Sequence, residues 1–232
     1  MDRRVFDRAL EIATLSGMNI TGGVSRALAV KPIPIRANLV DTEETLTLDM
    51  IRGIKADGNH GIIAYLGGNL TPELIENCAS ENMGLVPVNF SRAAGWTPTA
   101  NLGEIDAMAS LRRLAMLGLP TVGLNDWCDL EGCSSDPTEY CKAWCGVELG
   151  STTGIVPASY GGAEMMLTGR QWFLLPFRGY WHGDSRRVPE PDCGFQLIQL
   201  FPPNQHVAGA QVDYTIAQRD WEGRAPTWIV PA

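Results

Sequence analysis

From Arg36 onward the chain repeats one unit, a short apolar run followed by an amphipathic segment, and this alternation most restricts its fold. Residues 37–40 read as a strand that ends at Asp41, followed by a helix carrying Met50, Ile51 and Ile54 that stops near Gly58. Residues 60–66 form a second strand, ending in Tyr65-Leu66-Gly67-Gly68. Thr71-Pro72-Glu73 then opens a helix with a cap, a proline at the first helical position and an acid in the first turn. Residues 85–90 are a third strand, with a helix over about 103–117 that Gly118 and Pro120 terminate. The fourth strand contains Asp129 and Glu131, and Asp136-Pro137-Thr138-Glu139 opens the next helix in the pattern of a capping box. Residues 155–159 are a fifth strand, leading to Tyr160-Gly161-Gly162 and a short helix at 164–167.

The alternation then changes. Residues 172–177, 195–201 and 211–216 read as strands, and the segments between them (183–192 and 202–209) are rich in Pro, Gly, Asp and Asn without a helical period. Strands alternating with helices imply a parallel sheet with right-handed crossovers. The expected fold is α/β, a TIM-like (β/α)8 barrel of five βα units followed by three strands poor in helices. An open flavodoxin-like sheet competes, but it leaves three surplus strands. Residues 36–232 make the barrel domain, and residues 1–35 an N-terminal arm. In the arm, Phe6, Leu10 and Ala13 form one stripe of a helix over 2–16, and Lys31-Pro32-Ile33-Pro34-Ile35 is an extended connector. The arm either caps the barrel floor or docks on a protein partner.

At 232 residues the chain can bury a full core. Its formal charge of −8 argues against nucleic acid or an anionic membrane as partner, and no apolar run is long enough to span a bilayer. Asp7 and Glu11 interrupt the N-terminal stretch, so no signal peptide is expected. Cys133, Cys141 and Cys145 cluster, with free thiols, a disulfide and a metal site as the alternatives. Paired Cys-x-x-Cys motifs and a His-x-His are lacking, and neither a metal nor a cofactor is expected. A Gly-x-Ser-x-Gly elbow and a phosphate-binding Gly-x-Gly-x-x-Gly are also missing.

Side chains alternate along a strand, so Asp129 and Glu131 share one face. Two acids at the C-terminal end of a barrel strand are where catalytic groups collect. Asp41-Thr42-Glu43 repeats the Asp-x-Glu spacing after the first strand.

Asp41 after the first strand, Tyr65-Leu-Gly-Gly after the second, Asp129-Leu-Glu131-Gly after the fourth, Tyr160-Gly-Gly after the fifth, Phe195-Gln196 in the seventh and Val212-Asp213-Tyr214 in the eighth continue one pattern. Over roughly residues 36–220 it resembles the glycoside hydrolase-like domain family of bacteria and phages, which is distantly similar to the family 25 lysozymes, the N-acetylmuramidases. The resemblance implies that Asp41, Asp129, Glu131 and Asp213 line one cleft at the C-terminal face of the barrel. It makes Glu131 the general acid and Asp129 the group that positions the substrate's N-acetyl or a water. Tyr65, Tyr160 and Trp181 would present flat faces to sugar rings, and Asn89 and Gln196 would supply hydrogen bonds. The implied partner is an amino-sugar polymer such as peptidoglycan. The alternative is a non-catalytic phage virion or assembly protein that reuses the barrel and docks through residues 1–35. Either would be made in the cytoplasm and end in a phage particle or at a cell wall.

Overall fold

The computed structural model describes residues 26–89, 92–183 and 187–232. The expected helix over 2–16 lies outside these residues. The described chain forms β1 (Leu28–Pro32), β2 (Asn38–Asp41), α1 (Leu48–Ala56), β3 (Gly61–Leu66), α2 (Pro72–Ser80), β4 (Gly84–Asn89) and α3 (Ala100–Met116). It continues with β5 (Asn125–Leu130), α4 (Thr138–Gly150), β6 (Val156–Gly161), α5 (Gly169–Leu174), β7 (Gly179–His182), β8 (Leu197–Gln199), β9 (Gln205–Val207), β10 (Ala210–Ala217) and β11 (Thr227–Pro231).

Eight of the strands close into a mixed barrel. Strands β2 to β8 run parallel, β10 pairs antiparallel with both β8 and β2, and a β4–β5 pairing completes the ring. Closure excludes the open sheet. It also corrects the all-parallel expectation. No helix separates β8 from β10; the intervening residues hold only the short β9, so the chain returns antiparallel as a hairpin does.

Helix caps follow the chemistry of the sequence. Thr47, Thr71, Thr99 and Thr168 each accept a backbone N–H of the first turn. The expected capping box at Asp136 is replaced by a different bond. Helix α4 starts at Thr138, and the Thr138 N–H donates to Asp136 Oδ1 at 2.8 Å. The segment expected as a sixth strand, 172–177, is mostly helix: α5 covers Gly169–Leu174, and β7 begins later at Gly179. Thr168 and Gln171 close a capping box there, a local signal that outweighs the β propensity of Trp172 and Phe173. Residues 164–167 are not helical.

The barrel interior is apolar up to its rim. Leu39, Ile63, Val86, Val88, Trp127, Ala158, Trp181 and Leu197 fill it, alternate residues on each strand facing outward to the helices. Strands β4 and β5 share only the Val88–Trp127 pairing near the rim, and β11 wedges into the gap below. Ile229 of β11 pairs with Leu85 of β4, and Thr227 exchanges hydrogen bonds with Asn125 at the start of β5 (2.8 Å for each backbone N–H). Trp228 plugs the floor, where Gly84 and Gly61 leave room; a Cβ on Gly84 would lie 2.0 Å from the indole. β1, which takes in Lys31 and Pro32 of the expected connector, pairs antiparallel along the outer edge of β11, and Ile33 is buried among the interior residues. No helix among the described residues is long and apolar enough to cross a membrane.

Candidate functional site

The inward-facing residues nearest the rim are polar, in contrast with the apolar layers below. Asp41 of β2, Tyr65 of β3, Asp129 of β5, Tyr160 of β6, Gln199 of β8 and Asp213 of β10 line a cleft of about 470 Å³. Glu43, Glu44 and Glu131 extend the same wall just beyond the strand ends. The two Asp-x-Glu motifs thus border one cavity.

Each residue arrives by strand phase. Val40 and Cys128 pack outward, so Asp41 and Asp129 face inward, and Glu131 keeps the direction of Asp129. Asp213 comes from the antiparallel β10. It lies toward the start of its strand rather than the end, yet its pairing with Asp41 puts it on the same rim. Gly162 makes space for Glu131, since a Cβ there would stand 2.4 Å from Glu131 Oε2 and 2.6 Å from its Cβ.

The cleft is braced by hydrogen bonds. Tyr65 Oη donates to Asp41 Oδ2 at 3.2 Å, while Asp41 Oδ1 is buried without a protein partner. Burial pushes the Asp41 carboxyl up to about 8; the Tyr65 hydrogen bond opposes the rise, and the nearby Asp213, Glu43 and Glu131 charges add to it. Burial likewise pushes the Tyr65 hydroxyl upward, keeping it a donor. Across the cleft, Tyr160 Oη donates to Gln199 Oε1 at 3.2 Å, and Gln199 Nε2 donates to Asp213 Oδ2 at 2.6 Å. The Asn204 N–H donates to the other Asp213 oxygen, so Asp213 is held on both sides. The loop after β2 is fixed by Asn69, whose amide donates to the Thr42 carbonyl at 2.7 Å and the Glu44 carbonyl at 2.9 Å.

Of the nine residues that the sequence pointed to, six meet in this cleft: Asp41, Tyr65, Asp129, Glu131, Tyr160 and Asp213. Three do not. Trp181 is 1% exposed and lies below the cleft floor, edge-on to Tyr160 with ring centroids 4.7 Å apart. Asn89 follows inward-facing Val88, so strand alternation turns its side chain outward, toward α3. Gln196 stands before β8, at the opposite end of the barrel, where its amide donates to Asp220 at 3.0 Å and to the Arg178 carbonyl at 3.1 Å. The residue of that strand that reaches the cleft is Gln199, three positions later. Its signal was phase: Leu197 faces inward, so Gln199 does too.

The six cysteines are free and buried. Cys128, Cys141 and Cys145 pack between the barrel and α4 as small apolar groups. Among the described residues no group of three or more His, Cys, Asp or Glu side chains is arranged to hold a metal ion.

No protein-family model matches the chain, and no curated protein matches it in sequence. Its fold is shared by solved structures. An uncharacterized protein of B. stearothermophilus is 14% identical, with a TM-score of 0.60 over 79% of this chain and 96% of that one. The Tat-secreted protein Rv2525c of Mycobacterium tuberculosis, solved in complex with L-tartrate, is 16% identical. Its TM-score is 0.58 over 80% of this chain and 98% of that one. At these identities the likeness is one of fold, an α/β barrel.

Proposed function

We infer that the protein is a glycoside hydrolase-like barrel of TIM-like (β/α)8 descent, its last three staves bare of helices, that cleaves an amino-sugar polymer such as peptidoglycan. The observation that carries this reading is the composition of the rim: two Asp-x-Glu pairs and Asp213 converge on one cleft that also contains two tyrosines. Glycoside hydrolysis needs one carboxyl group that holds a proton and another that stays charged, and crowding acids in a partly dry site separates their affinities for protons. The raised Asp41 carboxyl is in keeping with such a site, since burial lifts it most and the neighbouring acid charges add to the rise.

In the proposed reaction Glu131 protonates the leaving glycosidic oxygen. The carbonyl oxygen of the substrate's own N-acetyl group attacks the anomeric carbon as the C–O bond breaks, forming an oxazolinium ring whose N–H Asp129 stabilises. Water, deprotonated by Glu131, then opens that ring and restores both the N-acetyl group and the acid. Tyr65 and Tyr160 flank the sugar. Asp213, clamped by Gln199 and Asn204, is held beside the site of the developing oxocarbenium.

The test is loss of turbidity of purified cell walls. Glu131→Gln should abolish turnover with little change in melting temperature, and Asp129→Asn should be slowed less on a substrate with an activated leaving group. Wild-type protein that leaves walls and amino-sugar oligomers intact under all conditions would overturn hydrolysis. A covalent sugar trapped on Asp129 would overturn participation by the N-acetyl group.

A further inference from the structure

A second cavity, of about 630 Å³, lies beside the acidic cleft but outside the barrel wall, and its charge is opposite. It is lined by Asn89, Arg92, Trp96, Asp106 and Arg113. The segment Gly95–Trp96 separates the two: the Trp96 indole N–H donates to the Glu131 carbonyl at 2.8 Å, and the Gly95 N–H to the Gly132 carbonyl at 2.7 Å. Both spaces also touch the end of β3. Tyr65 faces the cleft, and the next residue, Leu66, gives its carbonyl to Arg113 at 3.1 Å.

Within this groove the charges are unequal in their commitments. Asp106 accepts both Arg92 Nε, at 2.9 Å, and Arg92 Nη2, and also the Tyr140 hydroxyl at 2.9 Å. That pair is internally neutral. Arg113 makes no ion pair among the described residues, and the bond to Leu66 engages one N–H of its fork. Its guanidinium lies against Gly67, where a Cβ would come within 2.6 Å. A helix C-terminus favours a cation, and that accounts for a basic residue in this turn of α3. It does not account for the second observation. The Asn89 side chain is 6% exposed, lines the groove, and has no hydrogen-bond partner among the described residues. The part of its amide that stays accessible opens into the groove, where a ligand can hydrogen-bond it.

We propose that the groove is a subsite for a carboxylate carried on a branch of the ligand whose sugars lie in the acidic cleft. Arg113 grips the carboxylate with its fork, and the Asn89 amide completes the set of donors. The naming of a sugar polymer rests on the function inferred above; the carboxylate preference rests on the groove alone. Charge segregation explains the layout, because the described lining of the acidic cleft offers a carboxylate no cation, whereas beyond Trp96 it meets an uncommitted one. Peptidoglycan fits this description chemically, since its amino sugars bear lactyl-peptide branches that end in carboxylates. An unbranched, neutral amino-sugar polymer does not.

The experiment titrates the full chain with N-acetyl-D-alanine and, separately, with its uncharged amide, following the Trp96 indole resonance by NMR, identified by its loss in Trp96→Phe. The carboxylate should shift it saturably and the amide should not. Arg113→Gln should weaken carboxylate binding at least tenfold, and Arg113→Lys should fall between, having charge but no fork. Equal responses to acid and amide in the wild type overturn the subsite, as does a carboxylate response that Arg113→Gln leaves unmoved; the wild-type comparison decides even if a variant fails to fold. A parallel titration with neutral and carboxylate-bearing amino-sugar oligomers separates the two readings. If neither oligomer binds while the small carboxylate does, the subsite stands and the glycan function falls. If both bind equally and the small carboxylate is silent, the function stands and the subsite falls.

Discussion

Asp41 gives the cleft a pH response of its own, because it is buried and its neighbours in the cleft are also acids. An acid whose proton affinity is raised on folding holds its proton in the native state over a range where the unfolded chain has lost it. Between about pH 4 and pH 8 the native state therefore binds more protons, and stability contributed at this site falls as pH rises through that window. Asp41→Asn keeps the acceptor for Tyr65 and removes the titration. It should leave stability nearly unchanged at pH 3 and raise it by on the order of 5 kcal/mol at pH 8, as read from urea melts across the range. A variant no more stable than the wild type at pH 8 would show that the carboxyl ionises without penalty. The same residue shows what sequence discloses at this scale. Asp41, Asp129 and Glu131 were legible because acids at strand ends follow a spacing of two. Asn89 and Gln196 were misplaced because a polar residue in a short strand does not announce its phase. Only the inward packing of Val88 and Leu197 fixes it, and neither valine nor leucine tells the barrel face from the helix face.

At the scale of elements, the turn after β6 governs the acid on β5. Gly161 and Gly162 end β6, and the absent side chain at 162 is what lets Glu131 stand where it does. Gly162→Ala would press on the Glu131 Cβ, an atom that cannot swing aside as a carboxylate tip can. The proposed wall-clearing activity should drop by on the order of tenfold to a hundredfold while far-UV circular dichroism stays native. Retained activity would mean that Glu131 tolerates displacement and so is not the group that transfers the proton. Four strand–helix units and a fifth strand were readable in the chain because their periodicities alternate, but the fifth helix was expected at 164–167 and lies at Gly169–Leu174. The final third was less so. Trp172 and Phe173 favour strands by propensity but lie in a six-residue helix held by its capping box, and β7 is only four residues long.

For the whole molecule, the decisive feature is that the barrel wall is not self-sufficient. Strands β4 and β5 meet at a single register pair, and β11 fills the rest of the seam with Thr227 and Ile229 while Trp228 closes the floor. This role was illegible in the sequence, because residues 227–231 carry no partner signal of their own; the matching vacancy is made by Gly61 and Gly84, more than 140 positions away. Trp228→Ala should cost about 3–5 kcal/mol, measured by chemical denaturation, although Trp228 is far from the rim and touches no acid. A cost below about 1 kcal/mol would show that the floor repacks. The wedge also imposes an order in time. When this chain is made from its N-terminus, every strand of the ring leaves the ribosome before the piece that seals the ring. The nascent barrel therefore waits with an open seam and a bare floor until Thr227–Pro231 has been made.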